Sequence, residues 1–482
     1  MSYPRSKIWS SLDWITISIY ILMVIAGWFN IYAASYDFDQ GSIFDFSGRS
    51  GMQMIWIIIS VVVGFSLLLI ESNWYDIFAY WAYAFIILLL VVTIFAAPNI
   101  KGSRSWLVIG PVRFQAAEFA KFAISLAIAR FMNGYRFDLM KGKNFIVVLS
   151  LIFLPLCLVI LQKETGSALI FLAFFIVLYR EGMPGTILFM GFCTILFFLI
   201  ALKLDEVFWG ATPMAEYIIL ILILLFIYFM LFSYKKGRQT VKYIIFPSMG
   251  LVAVSIIASF FVEYNLCRVT LVILILTVFA VLINYIRFRA SRYLYIILFA
   301  LFSIVYLYSV NYFFNDILEP YQQTRVKVAL GMIDDPGGAG YNVNQSKIAI
   351  GSGGLFGKGY LNGTQTKLKY VPEQDTDFIF CTVGEEEGFL GSSIVLLSFL
   401  ILIIRLIILA ERQRNNFSRI YGYSVASVFI FHLAVNIGMV IGIMPVIGIP
   451  LPFFSYGGSS ICAFTILLFI FLRLDASRHQ GN

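Results

Sequence analysis

Long apolar runs separated by short polar breaks fill most of the chain between Trp14 and Arg473. A helix needs roughly 17–25 largely apolar residues to cross a hydrocarbon layer. Fourteen segments answer to that pattern, at approximately 14–34, 53–71, 77–97, 115–132, 144–161, 167–180, 186–202, 216–233, 243–262, 268–286, 293–311, 388–410, 421–443 and 458–473. The pattern predicts an all-α polytopic membrane protein with about 14 transmembrane helices. One polar stretch, 312–387, breaks the rhythm. It holds glycine turns at 335–340 and 351–354, apolar anchors (Phe356, Tyr360, Tyr370, Phe378) and a late group of carboxylates. That mixture predicts an ordered, functional loop.

Composition removes the alternatives. Of the 482 residues 61% are hydrophobic and 12% charged, whereas about a quarter of a soluble domain is charged. A soluble enzyme, a coiled coil and a disordered scaffold are excluded. Arg5 and Lys7 precede a first run long enough to span, so that run is expected to remain as an anchor and not to be cleaved. Five cysteines (Cys157, Cys193, Cys267, Cys381, Cys462) show no paired spacing, and two histidines, His432 and His479, are too few for a His-based metal site. Any chemistry must run on carboxylates, lysines and arginines.

Charge placement sets the topology. With the N-terminus inside and the spans alternating, twenty of the 34 Lys and Arg residues fall in inside segments, including Lys235, Lys236, Arg287 and Arg412. Seven fall in the short outside loops (Arg49, Lys101, Arg104, Arg113, Lys163, Lys203, Arg268). Cytoplasmic loops carry the basic excess in membrane proteins, so both termini are expected in the cytoplasm and 312–387 on the outer face. The same placement accounts for the net charge of +8 without a nucleic-acid partner.

Ionisable groups at membrane depth are costly and point to function. Glu118 and Lys121 stand three apart on one helical face, and Glu164 opens the sixth run. Together they form either an ion-pair bolt between helices or a substrate contact. Lys101, Arg104, Trp106 and Arg113 make a basic and aromatic segment before a helix that begins near Gln115. Such a segment suits a diphosphate; a solvated membrane-edge loop is the plainer reading. Asp375 and Asp377 suit either capping of the next helix or a general base whose pKa is raised by partial burial and by its neighbour. Glu385, Glu386 and Glu387 follow at the outer end of the next run. His432 reads as a packed or helix-bridging histidine, with Asn436 one turn on as an interhelical donor. The proline- and glycine-rich 445–460 segment cannot be regular helix, and such backbone is tolerated at depth only inside protein or beside a polar cavity.

Several of these stretches resemble the SEDS family of bacterial membrane glycosyltransferases. The motifs are Lys101-Gly-Ser-Arg-Ser-Trp106, Val112-Arg-Phe-Gln-Ala-Ala-Glu-Phe-Ala-Lys121, Gln162-Lys-Glu-Thr-Gly166, Tyr321-Gln-Gln-Thr-Arg325, Gln345-Ser-Lys-Ile-Ala-Ile-Gly-Ser-Gly-Gly354, Gly357-Lys-Gly359, Thr376-Asp-Phe-Ile-Phe380 and Pro450-Leu-Pro-Phe-Phe-Ser-Tyr-Gly-Gly-Ser459. The similarity covers about residues 10–180 and 320–475. Gly363-Thr-Gln365 and the 442–452 stretch look more like the family's elongation members than its division members. The resemblance implies a ten-helix core, leaving about four helices extra. On that basis 1–185 and 388–482 form the two parts of the core, 186–311 is an atypical insert that includes one family span, and 312–387 is the extracytoplasmic catalytic loop. An even number of extra helices leaves that loop outside.

The resemblance further implies a peptidoglycan polymerase of cell elongation in the bacterial cytoplasmic membrane. It would transfer the glycan of one lipid II to the GlcNAc 4-hydroxyl of another and release undecaprenyl pyrophosphate. The family's essential aspartate falls on Asp377. Substrate-binding positions fall on Arg104, Trp106, Arg113, Gln115, Glu118, Lys121, Glu164, Arg325, Gln345, Lys358, Gln365, Thr376, Glu386, Ser455 and Ser459. A divalent cation (Mg or Mn) is implied, with no organic cofactor and no assigned ligands. The implied partners are a class B penicillin-binding transpeptidase and other elongasome membrane proteins. The chain departs from the family in Asp375 for a usual histidine, Gln162-Lys-Glu164 for Gln-Pro-Asp, and Glu387 for a leucine. Two rivals stand beside this reading: a lipid II flippase, which suits many spans and buried charges but needs no external base, and a noncatalytic scaffold.

Overall fold

The computed structural model describes residues 6–36, 43–100, 102–110, 112–232, 238–333, 335, 338 and 340–478. Arg5, Lys101, Lys235, Lys236 and His479, together with Pro336, Gly337 and Ala339 of the first glycine turn, lie outside the described residues. The chain divides into two units, Met1–Met183 with Asp335–Asn482, and Pro184–Asp334.

The first unit begins with α1 (Ser6–Ser11), α2 (Trp14–Ser35), α3 (Arg49–Leu69) and α4 (Ser72–Ala96). An antiparallel hairpin follows, β1 (Trp106–Ile109) with β2 (Val112–Gln115), then α5 (Ala116–Met132), α6 (Gly142–Leu161), α7 (Thr165–Ile170) and α8 (Phe174–Arg180). The second unit holds α9 (Gly185–Lys203), a short hairpin of β3 (Phe208–Trp209) and β4 (Thr212–Pro213), α10 (Met214–Phe232), α11 (Arg238–Ser259), α12 (Leu266–Phe288), α13 (Ser291–Tyr312) and α14 (Pro320–Ala329). The chain returns to the first unit as α15 (Tyr341–Gly353), α16 (Thr364–Lys367), α17 (Ile379–Glu386), α18 (Gly388–Glu411), α19 (Asn416–Val440) and α20 (Gly458–Ala476).

Each apolar run coincides with helix, yet among the described residues eleven helices are long and apolar enough to cross a membrane, against the about 14 expected. Three runs make the difference. α5 carries Glu118, Lys121 and Arg130 within 17 residues. α7 and α8 are parted by a 3-10 turn at Phe171–Ala173, and the apolar part of α11, Lys242–Ala258, is short. The long polar stretch is divided as well: 312–334, with Arg325 on α14, belongs to the second unit, and the remainder packs into the first.

In the first unit α5, α19 and α20 lie at the centre, α20 against α3, α5 and α19, and α19 against α18 and α5. A helix surrounded by protein can carry polar side chains if each finds a partner. α19 accordingly holds His432 and Asn436, both fully buried. The peripheral helices expose Leu22, Val62, Phe85, Ile146 and Leu397, the surface that a lipid solvent requires. The second unit has its own core, in which Leu220, Ile223 and Leu224 of α10 share a buried cluster with Phe197, Leu274 and Phe299. The chain is a multi-pass membrane protein.

Candidate active site

Asp377 lies half-buried just before α17, and its backbone is fastened from two sides. The Asn436 side-chain amide donates to the Asp377 carbonyl at 2.8 Å and to the Ile449 carbonyl at 2.7 Å. Ser455 Oγ donates to the Thr376 carbonyl at 2.5 Å and accepts from the Leu451 N–H at 2.8 Å. The Tyr456 N–H donates to the Asp375 carbonyl at 2.8 Å. Residues 375–377 are thus pinned by α19 and by the irregular segment between α19 and α20. The Asp377 carboxylate lies against Gly448, where a Cβ would come within 3.3 Å of Oδ2 and where φ is +72°, a conformation that favours glycine. Behind it, Gly166 abuts the Ile447 carbonyl with no room for a Cβ, which seats the start of α7 against the same segment.

Of the two roles open to Asp375 and Asp377, capping does not come from the N-cap position itself: α17 begins at Ile379 with Phe378 as N-cap. Asp375 is buried and ion-pairs with Arg49 at the start of α3. The Arg49 guanidinium also lies 5.8 Å from the centre of the Tyr456 ring. Arg49 was missed in the sequence, where it is only one outer-loop charge among several.

A second network runs through the centre of the unit. Lys121 Nζ is 2.8 Å from Glu118 Oε2 and 3.1 Å from His432 Nε2, with all three residues buried. An ammonium only donates and a carbonyl only accepts. Nε2 therefore accepts, and the His432 proton sits on Nδ1, 3.1 Å from the Pro450 carbonyl. Glu118, Lys121, His432 and Pro450 form one directed chain from α5 to the segment that holds Asp377. Glu164 Oε2 accepts from Ser105 Oγ at 2.9 Å. Burial pushes the Glu164 carboxyl above its ordinary range, the Ser105 and Ser103 hydroxyls oppose this, and the Glu118 charge adds to it. Glu118 and Glu164 thus lie within electrostatic reach of each other.

The stretch before α5, expected as a loop, is a β-hairpin with Trp106 opposite Gln115 and Val108 opposite Arg113. Ser459 locks it in place, its Oγ donating to the Arg113 carbonyl at 3.2 Å and accepting from the Gln115 N–H at 3.3 Å. The Arg104 N–H donates to the Gln162 carbonyl at 3.0 Å. Both arginine side chains are exposed, and Arg113 is within electrostatic reach of Tyr456.

Lys358, Gln365 and Glu386 gather elsewhere, around α17. The Glu385 carboxylate receives Lys358 Nζ at 2.7 Å, the Gln365 N–H at 2.9 Å, and Thr366 through its N–H at 2.8 Å and its hydroxyl at 2.7 Å. Burial raises this carboxyl, but the Lys358 ammonium and the other donors outweigh it and hold it at about 2. Gln345 is half-buried on α15, beside Ser346, whose hydroxyl donates to the Val440 carbonyl at 3.0 Å. Arg325 belongs to the second unit, 5.5 Å from the Tyr321 ring centre. Among the described residues no group of three or more His, Cys, Asp or Glu side chains converges to hold a metal ion, and no step below runs through one.

This bracing and burial have two measurable consequences. Asn436→Asp keeps the side-chain shape but turns a donor towards two carbonyls into an acceptor. Since misplacement of about 1 Å can cost up to 10²-fold, kcat should fall about tenfold with KM little changed; an unchanged kcat would remove Asn436 from the site. The second concerns Glu386, which accepts from the Leu361 N–H at 3.0 Å and is pushed by burial from 4.5 to about 7. The folded chain then binds the extra proton between pH 4.5 and about 7, so stability falls as pH rises through that window. Glu386→Gln should remove about 1–3 kcal/mol of that fall, read from thermal unfolding in detergent. The same slope in both proteins would contradict it.

These features define a polytopic membrane protein with a half-buried carboxylate braced beside a helix bundle and two exposed arginines, one on a hairpin and one just before it. The profile of the family described as FTSW_RODA_SPOVE, cell cycle protein, matches residues 13–210 and 215–480, and the chain belongs to that family. The peptidoglycan glycosyltransferase RodA of Treponema pallidum (strain Nichols) is 28% identical over 424 residues, 88% of this chain and 89% of its own length. The peptidoglycan glycosyltransferase MrdB of Escherichia coli (strain K12) is 32% identical over 378 residues, 78% of this chain and 71% of its own. In fold, the crystal structure of the Thermus thermophilus rod shape determining protein RodA is similar with a TM-score of 0.56 at 20% identity, covering 98% of both chains. A chain from a structure described as coordination of polymerization and crosslinking by a peptidoglycan synthase complex reaches 0.62 at 22% identity, covering 98% of this chain and 99% of its own. The chain is a RodA-like member of the family.

Proposed function

We propose that this chain is a peptidoglycan glycosyltransferase that polymerises lipid II during cell elongation, with Asp377 as its general base. The observation that carries the reading is the position of Asp377, a half-buried carboxylate whose carbonyl is held by Asn436, and that of its neighbour Thr376 by Ser455, within the family's motifs. Asp377 takes the proton from the acceptor's GlcNAc 4-hydroxyl. The freed oxygen attacks the anomeric carbon of the donor's MurNAc with inversion, the bond to the diphosphate breaks, and undecaprenyl diphosphate leaves with the electron pair. Arg104 and Arg113, exposed on and beside the hairpin, are suited to stabilise the leaving charge. The distribution of Lys and Arg supports cytoplasmic termini and an outward-facing Asp377. A class B penicillin-binding transpeptidase, with other elongasome membrane proteins, is the partner class that would cross-link the product.

Purified full-length protein given labelled lipid II, with transpeptidases inhibited, should yield a glycan ladder. Movement of lipid II across vesicles without polymer would identify a flippase. Neither movement nor polymer would identify a scaffold, and either outcome sinks the polymerase reading.

A further inference from the structure

A cavity of about 390 Å³ opens between the end of α2, the start of α3 and the 369–375 stretch. No step described above uses it. Asp45, Glu373 and Asp375 line it together with Arg49 and Lys369, and Tyr36 stands at its wall. Two of these charged residues are in unusual backbone conformations, Lys369 at φ +53° and Glu373 at φ +54°. Long side chains rarely adopt the left-handed region, and where they do the surroundings hold them, often at binding sites. The stretch is tied down by Gln374, whose amide donates to the Ala34 carbonyl of α2 at 2.5 Å and to the Thr366 carbonyl at 2.9 Å.

The lining selects among the chemical parts of the proposed substrate. Arg49 and Asp375 pair with each other, so a diphosphate would meet the Asp45 and Glu373 carboxylates, and a polyprenyl tail would have to desolvate all five charged groups. A bare cation would share the cavity with a guanidinium and an ammonium. A short peptide that carries both an ammonium and a carboxylate, with amides between, matches both signs of charge, and the volume lies within the usual range of about 300–1,000 Å³ for ligand sites. We propose that this cavity binds the peptide stem of the peptidoglycan precursor. The proposal rests on the polymerase reading and adds to it a handle for the substrate: Asp375, one wall of the cavity, is two residues from Asp377, so a seated stem sets the register of the sugar against the base.

The test uses the full-length protein in detergent and a fluorescent muramoyl pentapeptide, read by anisotropy. The Lys369→Gln/Glu373→Gln double variant should bind it about fivefold more weakly, the size an exposed ion pair reaches. A muramic acid probe without peptide should bind both proteins equally and more weakly than the stem-bearing probe. If the double variant unfolds, Asp45→Asn on the loop before α3 gives the same reading. Equal affinity of wild type and variants for the stem, or a peptide-free probe that binds as tightly as the full one, would overturn the proposal. Lipid II polymerisation in the same preparations separates the two readings. Charge-dependent stem binding without polymer overturns the polymerase and leaves the stem site standing; polymer with charge-independent binding overturns the stem site alone.

Discussion

Polymer formation from labelled lipid II should fall to background in Asp377→Asn, while expression and binding of a class B transpeptidase persist. Asparagine keeps the size of the side chain. The contacts that fix residues 375–377 also survive, because Asn436, Ser455 and Tyr456 all bond to main-chain carbonyls there. The substitution therefore removes a proton acceptor while the main-chain bracing stays in place. Loss of a general base costs about 10²–10⁴-fold in rate, which places the variant below the detection of a gel-based assay. Wild-type polymerisation by the variant would remove Asp377 from the chemistry and leave its bracing without a catalytic purpose.

The largest loss of stability is expected at Lys121. Lys121→Met leaves the Glu118 carboxylate buried without the ammonium 2.8 Å away and deprives His432 Nε2 of its donor. Breaking a buried ion pair from one side costs about 3–5 kcal/mol. Replacing both partners, as in Glu118→Leu/Lys121→Met, should recover most of that loss, because neither charge then has to be desolvated. Unfolding in detergent should give a coupling energy of at least about 3 kcal/mol in this cycle, and a smaller one, about 0.5–3 kcal/mol, between Lys121→Ala and Glu164→Ala. Strict additivity in both cycles would show that the three residues do not share a site.

The helices were legible because the length of an apolar run is a local property, and each of the fourteen runs does coincide with helix. Runs that combine apolar length with charge or a break, as in α5 and α7–α8, fall short of the uninterrupted apolar length of the eleven longer helices. The hairpin at 106–115 left a signal that went unused: Gly110-Pro111 between the apolar Trp106–Ile109 and the alternating Val112-Arg-Phe-Gln115 has the punctuation of a turn between strands. Lys358 was singled out by its motif, and Glu386 as one of three carboxylates at the outer end of a run. That the Lys358 ammonium goes to Glu385, and so lowers one carboxyl while its neighbour is raised, depends on how 358–366 wraps α17.

By itself, then, the sequence determined a many-helix membrane chain, the irregular 445–460 segment, and the identity of Asp377, Glu118, Lys121 and Glu164 as groups whose burial requires partners. Only the tertiary structure decided which partners they have. Arg49 and Asp375 are 326 residues apart, and Lys121 and His432 are 311 apart. No periodicity within a helix encodes such a meeting, since it depends on which face of α5 turns towards α19. Asn436 reaches Asp377 for the same reason: a side chain inside a bundle satisfies its donors with whatever acceptor the packing brings near, and here that acceptor is the backbone of the segment that carries the proposed base.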